Sequence, residues 1–379
     1  MSYLEYAVKT TPTGLRKFLY MNWPLTLLLI SVASAGFLML YSVAGGSWRP
    51  WAEPQMERFA LGLVVMFIVA LIPIWFWRSM SLLAYLGSVG LLVLVELFGT
   101  VGMGAQRWID LGFMRLQPSE LTKVTLVMVL AAYYDWLPSE KTSRPLWVLL
   151  PVFLILIPTA LVLKQPDLGT ALLLLAAGGG LMFLAGVHWA YFAAVIAAGV
   201  GLVTAVFKSR GTDWQLLKDY QFRRIDTFLD PSSDPLGAGY HITQSKIALG
   251  SGGWNGRGFM QGTQSRLNFL PEKHTDFIFT TLAEEFGFVG GITLLTLYGL
   301  ILVFCLVTAL STKDRFSSLV TLGISLNFFL FFAVNMSMVM GLAPVVGVPL
   351  PMVSYGGSAM LVLMAAFGIV QSAHIHRPR

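Results

Sequence analysis

Long runs of apolar residues constrain the fold of this 379-residue chain more than any other feature of its sequence. A transmembrane α-helix needs about 20 such residues, because the hydrocarbon core of a bilayer is about 30 Å thick. The runs cover residues 23–43, 60–77, 81–100, 119–137, 147–164, 168–187, 189–207, 288–310, 317–341 and 352–373. They predict an all-α integral membrane protein with about ten transmembrane helices.

The composition supports a membrane protein and argues against a nucleic-acid partner. Charged residues make up 12% of the chain and hydrophobic residues 56%, whereas soluble domains contain about 25% charged residues. The net charge is +6, yet no basic patch, zinc-ligand spacing or aromatic-basic ladder accompanies it, so no nucleic acid is expected to bind. The single cysteine, Cys305, lies inside an apolar run, and no disulfide within the chain is expected.

Lysine and arginine are distributed unevenly between alternate loops. With a cytoplasmic N-terminal segment at residues 1–22, ten of them fall on inside segments and five on short outside loops. Cytoplasmic loops carry the excess of Lys and Arg, so both termini are predicted to be cytoplasmic. Residues 23–379 then form one polytopic domain. Its first span is expected to stay uncleaved, because apolar sequence continues beyond the signal-peptidase-like residues 31–35.

A polar segment at residues 208–275 interrupts the series of spans joined by short loops. Seven spans precede it, so it is predicted to be a large periplasmic loop between spans seven and eight. Loops of this length are usually functional or disordered. An amphipathic stretch at residues 242–249 predicts a short helix at the membrane surface, and a disordered loop is the alternative.

Ionisable residues gather at the predicted outer ends of several spans, where a charge is costly unless it is paired or hydrated. Glu120 and Lys123 are three residues apart, so they share a helix face and can form an ion pair. Such a pair either holds helices together or serves function, and the sequence leaves both open. Arg107, Arg115 and Gln117 lie just before it.

A second group lies in the turn between spans five and six, where Lys164 and Asp167 occur in KQPDLGT. Asp167 stands before Gly169 and Thr170, which is typical of a helix N-cap. A functional role stays open because the turn is predicted to lie at the same depth as the first group.

The third group is FLPEKHTDFIF, residues 269–279. Thr275 or Asp276 could cap the helix that follows, which is the simplest explanation of an aspartate there. Capping does not explain the other polar residues that are predicted at the same outer mouth of the bundle, called the rim here. They are Arg257, Gln264, Glu272, Lys273 and His274.

Absent motifs limit the chemistry of this rim. The sequence contains no HExxH, GxxxxGK[ST] or GxSxG motif and no Cys/His metal spacing, which argues against hydrolysis and ATP-driven work. One carboxylate among lysine, arginine and glutamine at the level of lipid headgroups suits an acid or base that acts on a lipid-linked, anionic substrate.

Three prolines, Pro344, Pro349 and Pro351, interrupt apolar sequence before the last span. Irregular backbone at membrane depth is tolerated only where it is buried or lines a cavity. The segment is therefore either a packing hinge or a groove that admits a lipid tail, with Ser354, Tyr355 and Gly357 at its outer end.

Together these motifs resemble the SEDS family (shape, elongation, division, sporulation). They are GAQRWIDLGFMRLQPSELTK, QPDLGT, DPLGAGYHITQSKIALGSGG, GTQSRLNFLPEKHTDF and PVVGVPLPMVSYGGSAML, and they occur in the family order over residues 45–375. The segment GTQSRLNFLPEKHTDF is more similar to the elongation branch of the family than to its division branch.

The resemblance implies a bacterial peptidoglycan glycosyltransferase that polymerises lipid II into glycan strands at the outer face of the cytoplasmic membrane, for cell elongation and rod shape. It also implies a class B penicillin-binding protein and other elongation-complex membrane proteins as partners. Asp276 matches the essential aspartate of the family, and Glu120, Lys123 and Asp167 match its polar cavity.

A single base suits this reaction, because the undecaprenyl diphosphate leaving group is a stable anion that needs no proton, unlike the leaving group of glycosidases. Asp276 would take the proton of the acceptor 4-hydroxyl as it attacks C1 with inversion. Arg115, Lys123, Arg257 or a divalent cation, Mg²⁺ or Mn²⁺, would stabilise the diphosphate. The metal ligands are unknown, and no other cofactor is expected. The remaining residues assigned to substrate binding are Arg107, Gln117, Gln264, Lys273, His274 and Ser354.

Two other functions fit the same residues. A lipid II flippase would need polar groups near the bilayer midplane that are reachable from both sides, whereas these groups cluster on the outer side. A non-catalytic scaffold for a penicillin-binding protein would tolerate the loss of Asp276.

Overall fold

The computed structural model describes residues 12, 14–102, 105–110, 112, 115–212, 214–216, 222, 226, 229–230, 238–266 and 273–377. Glu272 lies outside the described residues, as does much of the loop at residues 208–275.

The architecture is a bundle of α-helices in chain order. Their bounds are α1 Trp23–Val43, α2 Ala52–Leu71, α3 Ile74–Phe98, α4 Pro118–Trp136, α5 Pro145–Lys164, α6 Leu168–Leu184, α7 Trp189–Ser209, α8 Ala238–Ser251, α9 Thr263–Arg266, α10 Ile278–Ser311, α11 Arg315–Val339 and α12 Gly357–Ile375. Within the described residues, eight helices are long and apolar enough to cross a membrane, and α6 is a shorter apolar helix. A helical, multi-pass membrane fold is therefore confirmed, while the number of ten spans stays a prediction.

The second and third spans meet at a different place from the one that hydropathy predicted. The apolar runs placed their boundary between residues 77 and 81, but α2 ends at Leu71 and α3 begins at Ile74. Pro73 explains the break, because proline lacks the backbone N–H and disfavours the helical conformation of the preceding residue. Ile72 is accordingly extended, with ψ 131°. Because α2 begins at Ala52, Arg58 lies inside this helix and not in an outside loop.

Polar residues at the ends of apolar runs set several helix starts. The Asn22 side chain accepts a hydrogen bond from Leu25 N at 3.2 Å at the start of α1. Asp314 does the same for Ser317 N at 2.9 Å at the start of α11. Each cap satisfies a backbone N–H that has no partner within its own helix.

The core forms where α2 packs on α12, α3 on α4, α1 on α10, and α11 on α4, α6 and α10. Large apolar side chains remain exposed on the outer surface of the bundle, for example Leu83, Leu146 and Val195. Such a surface suits a lipid environment, where exposed apolar groups carry no penalty. α7 lies at the periphery, since Ser209 is its only buried residue.

A small antiparallel sheet after α3 was not predicted from the sequence. It consists of β1 Thr100–Gly102, β2 Ala105–Asp110 and β3 Arg115–Leu116, paired in that order. The sheet lies at the end of the bundle where α3 ends and α4 begins, and it carries Arg107 on β2.

The helix predicted at residues 242–249 is confirmed as the longer helix α8, Ala238–Ser251. Ile242, Ser245 and Ala248 are buried and share one face, and α8 packs against α10 and α11. Ser245 Oγ donates a hydrogen bond to Val339 O at 2.7 Å, which ties α8 to the end of α11.

Candidate active site

Asp276 lies in a turn, residues 273–277, that leads into α10. The N-cap of α10 is Phe277, which makes no side-chain capping hydrogen bond. The expectation that Thr275 or Asp276 serves as the N-cap is therefore wrong. The reason is local backbone geometry: the helix begins two residues after Asp276, too late for either residue to occupy the cap position.

Side chains from other parts of the chain hold this turn through its backbone. Asn335 Nδ2 on α11 donates hydrogen bonds to Asp276 O at 2.8 Å and to Val348 O at 2.7 Å. Ser354 Oγ donates to Thr275 O at 2.5 Å. Asn335 and Ser354 are buried, so both bonds are shielded from competing water and fix the turn firmly.

The proline-rich segment, residues 344–356, runs beside the same turn. Tyr355 N donates to His274 O at 2.9 Å. A Cβ added at Gly347 would lie 3.6 Å from Asp276 Oδ2, so the carboxylate sits next to a residue without a side chain. Gly347 has φ 71°, and the buried Met352 has φ 64°. A left-handed methionine is a strained conformation of the kind that clusters at functional sites.

Part of the proline-rich segment also lines a cavity of about 60 Å³. α4 contributes Glu120 and Lys123, and α2 contributes Gln55. The segment itself contributes residues from Pro349 to Gly356, among them Ser354. Lys123 Nζ donates to Glu120 Oε1 at 2.8 Å and lies 3.7 Å from the centre of the Phe331 ring. The predicted pair of Glu120 and Lys123 and the Asp276 turn therefore lie beside the same proline-rich segment.

Asp167 serves as the helix cap that the sequence suggested and also lies beside Arg107, while its role in substrate binding stays a prediction. Its Oδ1 accepts a hydrogen bond from Thr170 N at 3.1 Å, which makes it the N-cap of α6. Its Oδ2 lies 3.6 Å from Arg107 Nη1. Arg107 also donates to Gln165 O at 3.0 Å and Pro166 O at 2.5 Å. Arg107 thus fixes the turn between α5 and α6 and is largely engaged by the protein itself.

α10 is broken at Gly287, whose φ of 65° and ψ of −158° are not helical. The glycine-rich loop, residues 252–258, supplies the hydrogen bonds that the break would otherwise lose. Arg257 N donates to Glu284 O at 3.0 Å, and Phe288 N donates to Gly253 O at 2.8 Å. The loop and the backbone of α10 approach each other closely, since a Cβ at Gly256 would lie 2.1 Å from Glu285 O.

Glu284 anchors the chain that follows this loop. Its side chain is fully buried, and its Oε1 accepts hydrogen bonds from Thr263 N at 2.8 Å, Thr263 Oγ1 at 2.9 Å and Gln264 N at 3.1 Å. The backbone of Gln264 therefore lies near α10, and its Oε1 is buried without a hydrogen-bond partner within the described residues. A second buried carboxylate, Glu285, accepts a hydrogen bond from Ser42 Oγ on α1.

Two predicted cations do not reach the cavity. Arg115 is exposed on β3, with its Nε 4.0 Å from Asp110 Oδ2. Arg257 is exposed as well and binds Ser251 O at 3.4 Å and Thr263 Oγ1 at 3.1 Å. Arg115 sits on a strand and Arg257 in an irregular loop, where sequence does not define the direction of a side chain. Neither is among the residues that line the cavity, and Asp276, Lys273 and His274 are not among them either.

The remaining predicted residues lie in the Asp276 turn and at the start of α4. Lys273 and His274 are half-buried, and partial burial lowers the pKa of the Lys273 ammonium. The His274 ring stacks on Trp51, with centroids 4.6 Å apart. Gln117 is the N-cap residue of α4, and its backbone N donates to Ser358 Oγ at 3.2 Å.

Sequence reasoning missed two polar side chains that build the site. Asn335 is one of two asparagines, with Asn327, in the apolar run of the ninth predicted span, and an amide at that depth was a signal of a buried polar contact. Gln55 was overlooked because α2 was expected to begin later. Its Nε2 donates to Ser354 O at 3.0 Å and its Oε1 accepts from Gly356 N at 3.3 Å.

The sequence left open whether the protein binds a metal ion. Among the residues that the structure describes, no three His, Cys, Asp or Glu side chains gather in a ligand set. A metal site therefore has no residues assigned to it.

These features define a class: a multi-pass helical membrane protein whose polar site lies at one end of the bundle, around an aspartate before a broken helix. A family model described as "Cell cycle protein", which represents FtsW, RodA and SpoVE, matches residues 17–379. The chain belongs to this family.

Curated relatives are similar over nearly the whole chain. The peptidoglycan glycosyltransferase MrdB of Escherichia coli (strain K12) is 45% identical over 360 residues, covering 93% of both chains. MrdB of Helicobacter pylori (strain ATCC 700392 / 26695) is 37% identical over 331 residues, covering 84% of this chain and 81% of that protein.

Solved structures share the fold. Thermus thermophilus RodA, a rod shape determining protein, superposes with a TM-score of 0.71 at 28% identity, covering 95% of this chain and 98% of that one. A chain from a peptidoglycan synthase complex that coordinates polymerization and crosslinking superposes with a TM-score of 0.80 at 31% identity, covering 93% and 97%.

Proposed function

We propose that this protein is a peptidoglycan glycosyltransferase that polymerises lipid II, the lipid-linked disaccharide precursor, into glycan strands. Relatives that carry the name peptidoglycan glycosyltransferase match it over most of their length. The observation that carries the proposal within this chain is the Asp276 turn, which Asn335 and Ser354 hold by its backbone beside a segment that lines a cavity.

Asp276 acts as the general base in this proposal. The acceptor 4-hydroxyl oxygen attacks C1 of the donor sugar, and Asp276 takes the hydroxyl proton. The bond between C1 and the phosphate oxygen breaks, and undecaprenyl diphosphate leaves with the electron pair. The configuration at C1 inverts because the attack and the departure occur on opposite faces. General-base catalysis of this kind contributes roughly 10²- to 10⁴-fold to a rate.

Lys123 and Glu120 supply the electrostatics of the cavity. A buried ammonium near a developing diphosphate stabilises it strongly, because few competing dipoles surround the charge. Glu120 holds the Lys123 ammonium in place before the substrate binds. A divalent cation, Mg²⁺ or Mn²⁺, belongs to the proposal as an additional counter-ion for the diphosphate.

The membrane placement and the partners also belong to the proposal. The site faces the outer side of the bacterial cytoplasmic membrane, with both termini in the cytoplasm and residues 208–275 outside. A class B penicillin-binding protein crosslinks the nascent strand, together with other membrane proteins of the elongation complex, and the reaction serves cell elongation and rod shape. The similar chain from a synthase complex that coordinates polymerization with crosslinking supports such a partnership.

Incubation of the purified protein with lipid II in detergent micelles tests the proposal. Micelles have no two sides, so a flippase leaves lipid II unchanged, whereas a polymerase converts it into glycan strands that resolve on a gel. We expect polymer, and we expect a chelator to reduce its yield if a divalent cation takes part. Unchanged lipid II with the protein and its penicillin-binding partner present would favour the flippase or the scaffold.

A further inference from the structure

Arg58 lies in the second turn of α2 and is half-buried. Its Nη1 is shielded from solvent and has no hydrogen-bond partner within the described part of the chain. The ion pairs found among the described residues do not include it. A guanidinium near the start of a membrane span thus has a buried N–H donor for which the described residues offer no acceptor.

Other cations at the same end of the bundle are arranged differently. Arg49 is paired with Glu53 at 2.7 Å, Lys123 with Glu120 at 2.8 Å, and Arg107 binds Asp167 and two backbone carbonyls. Leaving a buried charged donor without an acceptor costs more than leaving a neutral one. Intramembrane ionisable residues that persist at such a cost mark functional sites, and their missing partner is the first question.

The surroundings of Arg58 orient it toward the site. Its Cζ lies 4.9 Å from the centre of the Tyr355 ring, and a Cβ at Gly357 would lie 3.9 Å from Cζ. Tyr355 in turn binds the Asp276 turn, because Tyr355 N donates to His274 O at 2.9 Å. The Tyr355 face holds the guanidinium by a cation–π contact, which uses none of its N–H donors.

The helix geometry places Arg58 on the same face as a site residue. Gln55 is three positions earlier on α2, so the two side chains are neighbours. Gln55 lines the cavity that contains Glu120 and Lys123 and binds Ser354 O at 3.0 Å. Arg58 therefore neighbours both Gln55, which lines this cavity, and Tyr355, whose backbone binds the Asp276 turn.

We propose that Arg58 binds a phosphate group of the lipid-linked substrate. This inference rests on the proposed function, which supplies a diphosphate at the depth of the lipid headgroups. A planar guanidinium matches two phosphate oxygens with two parallel N–H donors, and its fixed orientation over Tyr355 reduces the entropy lost on binding. Phosphate also occurs in bulk phospholipid headgroups, so the substrate and the surrounding lipid are two sources of the same chemistry.

Direct binding measurements on the full-length protein in phosphate-free detergent test this assignment. The probes are undecaprenyl diphosphate, undecaprenol, which lacks the phosphates, and dioleoylphosphatidylglycerol. The variants are Arg58→Gln and Arg58→Lys, with Arg49→Gln as the matched control, since Arg49 is an exposed arginine just before the same helix.

We expect Arg58→Gln to bind undecaprenyl diphosphate about 10- to 100-fold more weakly than the wild type, the factor that corresponds to a lost charge-assisted hydrogen bond. The affinity of Arg58→Lys for undecaprenyl diphosphate should lie between those of the wild type and Arg58→Gln. Lysine keeps the positive charge but lacks the two parallel N–H donors of the guanidinium. Undecaprenol and phosphatidylglycerol should bind all variants alike, and Arg49→Gln should match the wild type for every probe. If Arg58→Gln does not fold, Arg58→Lys decides by the same comparison of diphosphate with undecaprenol.

Three results would overturn the inference. Unchanged diphosphate affinity in the Arg58 variants would remove the contact. An equal loss for undecaprenol would mean that Arg58 only supports the packing of Tyr355. An equal loss for phosphatidylglycerol would assign Arg58 to bulk lipid. Polymerisation of lipid II by the wild type, measured on the same preparation, keeps a failure of Arg58 separate from a failure of the proposed function.

Discussion

Lys123 is a buried cation whose role can be separated from its structural contribution. Its side chain is 2% exposed and that of Glu120 is 13% exposed. The attraction between the two charges therefore offsets the cost of removing each of them from water. Removing one member of a buried ion pair is strongly destabilising, whereas replacing both is often close to neutral. The two possible roles of this pair, helix packing and substrate binding, therefore predict different results for single and double variants.

Lys123→Met should lower the free energy of unfolding by about 3–5 kcal/mol, because it leaves the Glu120 carboxylate buried without its partner. The double variant Glu120→Gln/Lys123→Met should recover most of that loss in thermal unfolding and still polymerise lipid II about 10²-fold more slowly than the wild type. A stable double variant with full activity would leave the pair with a packing role only.

Asn335 is the residue that connects the turn of Asp276 to the proline-rich segment. Its Nδ2 serves two carbonyls at once, so no apolar replacement can substitute for it. Asn335→Leu should lower the free energy of unfolding by about 1–3 kcal/mol for each carbonyl left without a donor.

Activity of Asn335→Leu should fall at least about tenfold, since small displacements of a positioned base reduce catalysis strongly. Ser325→Ala on the same helix is the control, because its hydroxyl donates to Thr321 O within α11 itself. Polymerisation rates and melting temperatures of the two variants give the comparison. Equal activity of Asn335→Leu and wild type would show that the turn keeps its position without this amide.

At the scale of elements, the break in α10 joins the glycine-rich loop to the membrane bundle. Gly287 occupies a backbone region that only glycine adopts readily, and a Cβ there would lie 2.3 Å from Gly256 N. The two glycines permit a backbone contact that side chains would prevent.

Gly287→Ala should therefore destabilise the protein by at least about 1–3 kcal/mol from backbone strain alone. Gly299→Ala, in the regular part of the same helix, is the matched control, since a Cβ there meets nothing within 4 Å. Its melting temperature should equal or slightly exceed that of the wild type, because alanine favours a helix over glycine. Equal melting temperatures for the two variants would mean that α10 can straighten at low cost.

Much of the helical architecture could be predicted because apolar length is a local property of the sequence. The runs at residues 23–43 and 147–164 correspond closely to α1 and α5. The start of α2 was missed because its first turns carry Glu53, Glu57 and Arg58, which lower the hydropathy at a helix end where charges are tolerated. The small sheet was missed because its strands are two to six residues long.

The site was only partly predictable, because its contacts join distant parts of the chain. Asn335 bonds to a carbonyl 59 residues away and Gln55 to one 299 residues away, and no local pattern encodes such a pairing. Charge identified Asp276, Glu120 and Lys123 as unusual residues. Charge alone could not show that Lys123 is buried whereas Arg115 is exposed on β3.

At the scale of the whole molecule, the proposed reaction requires the Asp276 turn and the loop at residues 208–275 to lie on the outer side. Arg49 and Glu140 are exposed at opposite ends of the bundle, before α2 and after α4. In a Cys305→Ala background, Arg49→Cys should react with a membrane-impermeant maleimide in intact spheroplasts, whereas Glu140→Cys should react only after lysis. Cys305 is buried and is the only native cysteine. The opposite labelling pattern would place the site in the cytoplasm and contradict the proposed reaction.

The role of Asp276 as the general base is tested by the polymerisation rate of purified Asp276→Asn with lipid II in detergent, beside the wild type. Asparagine keeps the size of the side chain and removes its basicity. We expect a folded protein that binds its penicillin-binding partner and polymerises at least about 10²-fold more slowly. A rate within about threefold of the wild type would contradict this role, because an effect that small lies far below the contribution of a general base.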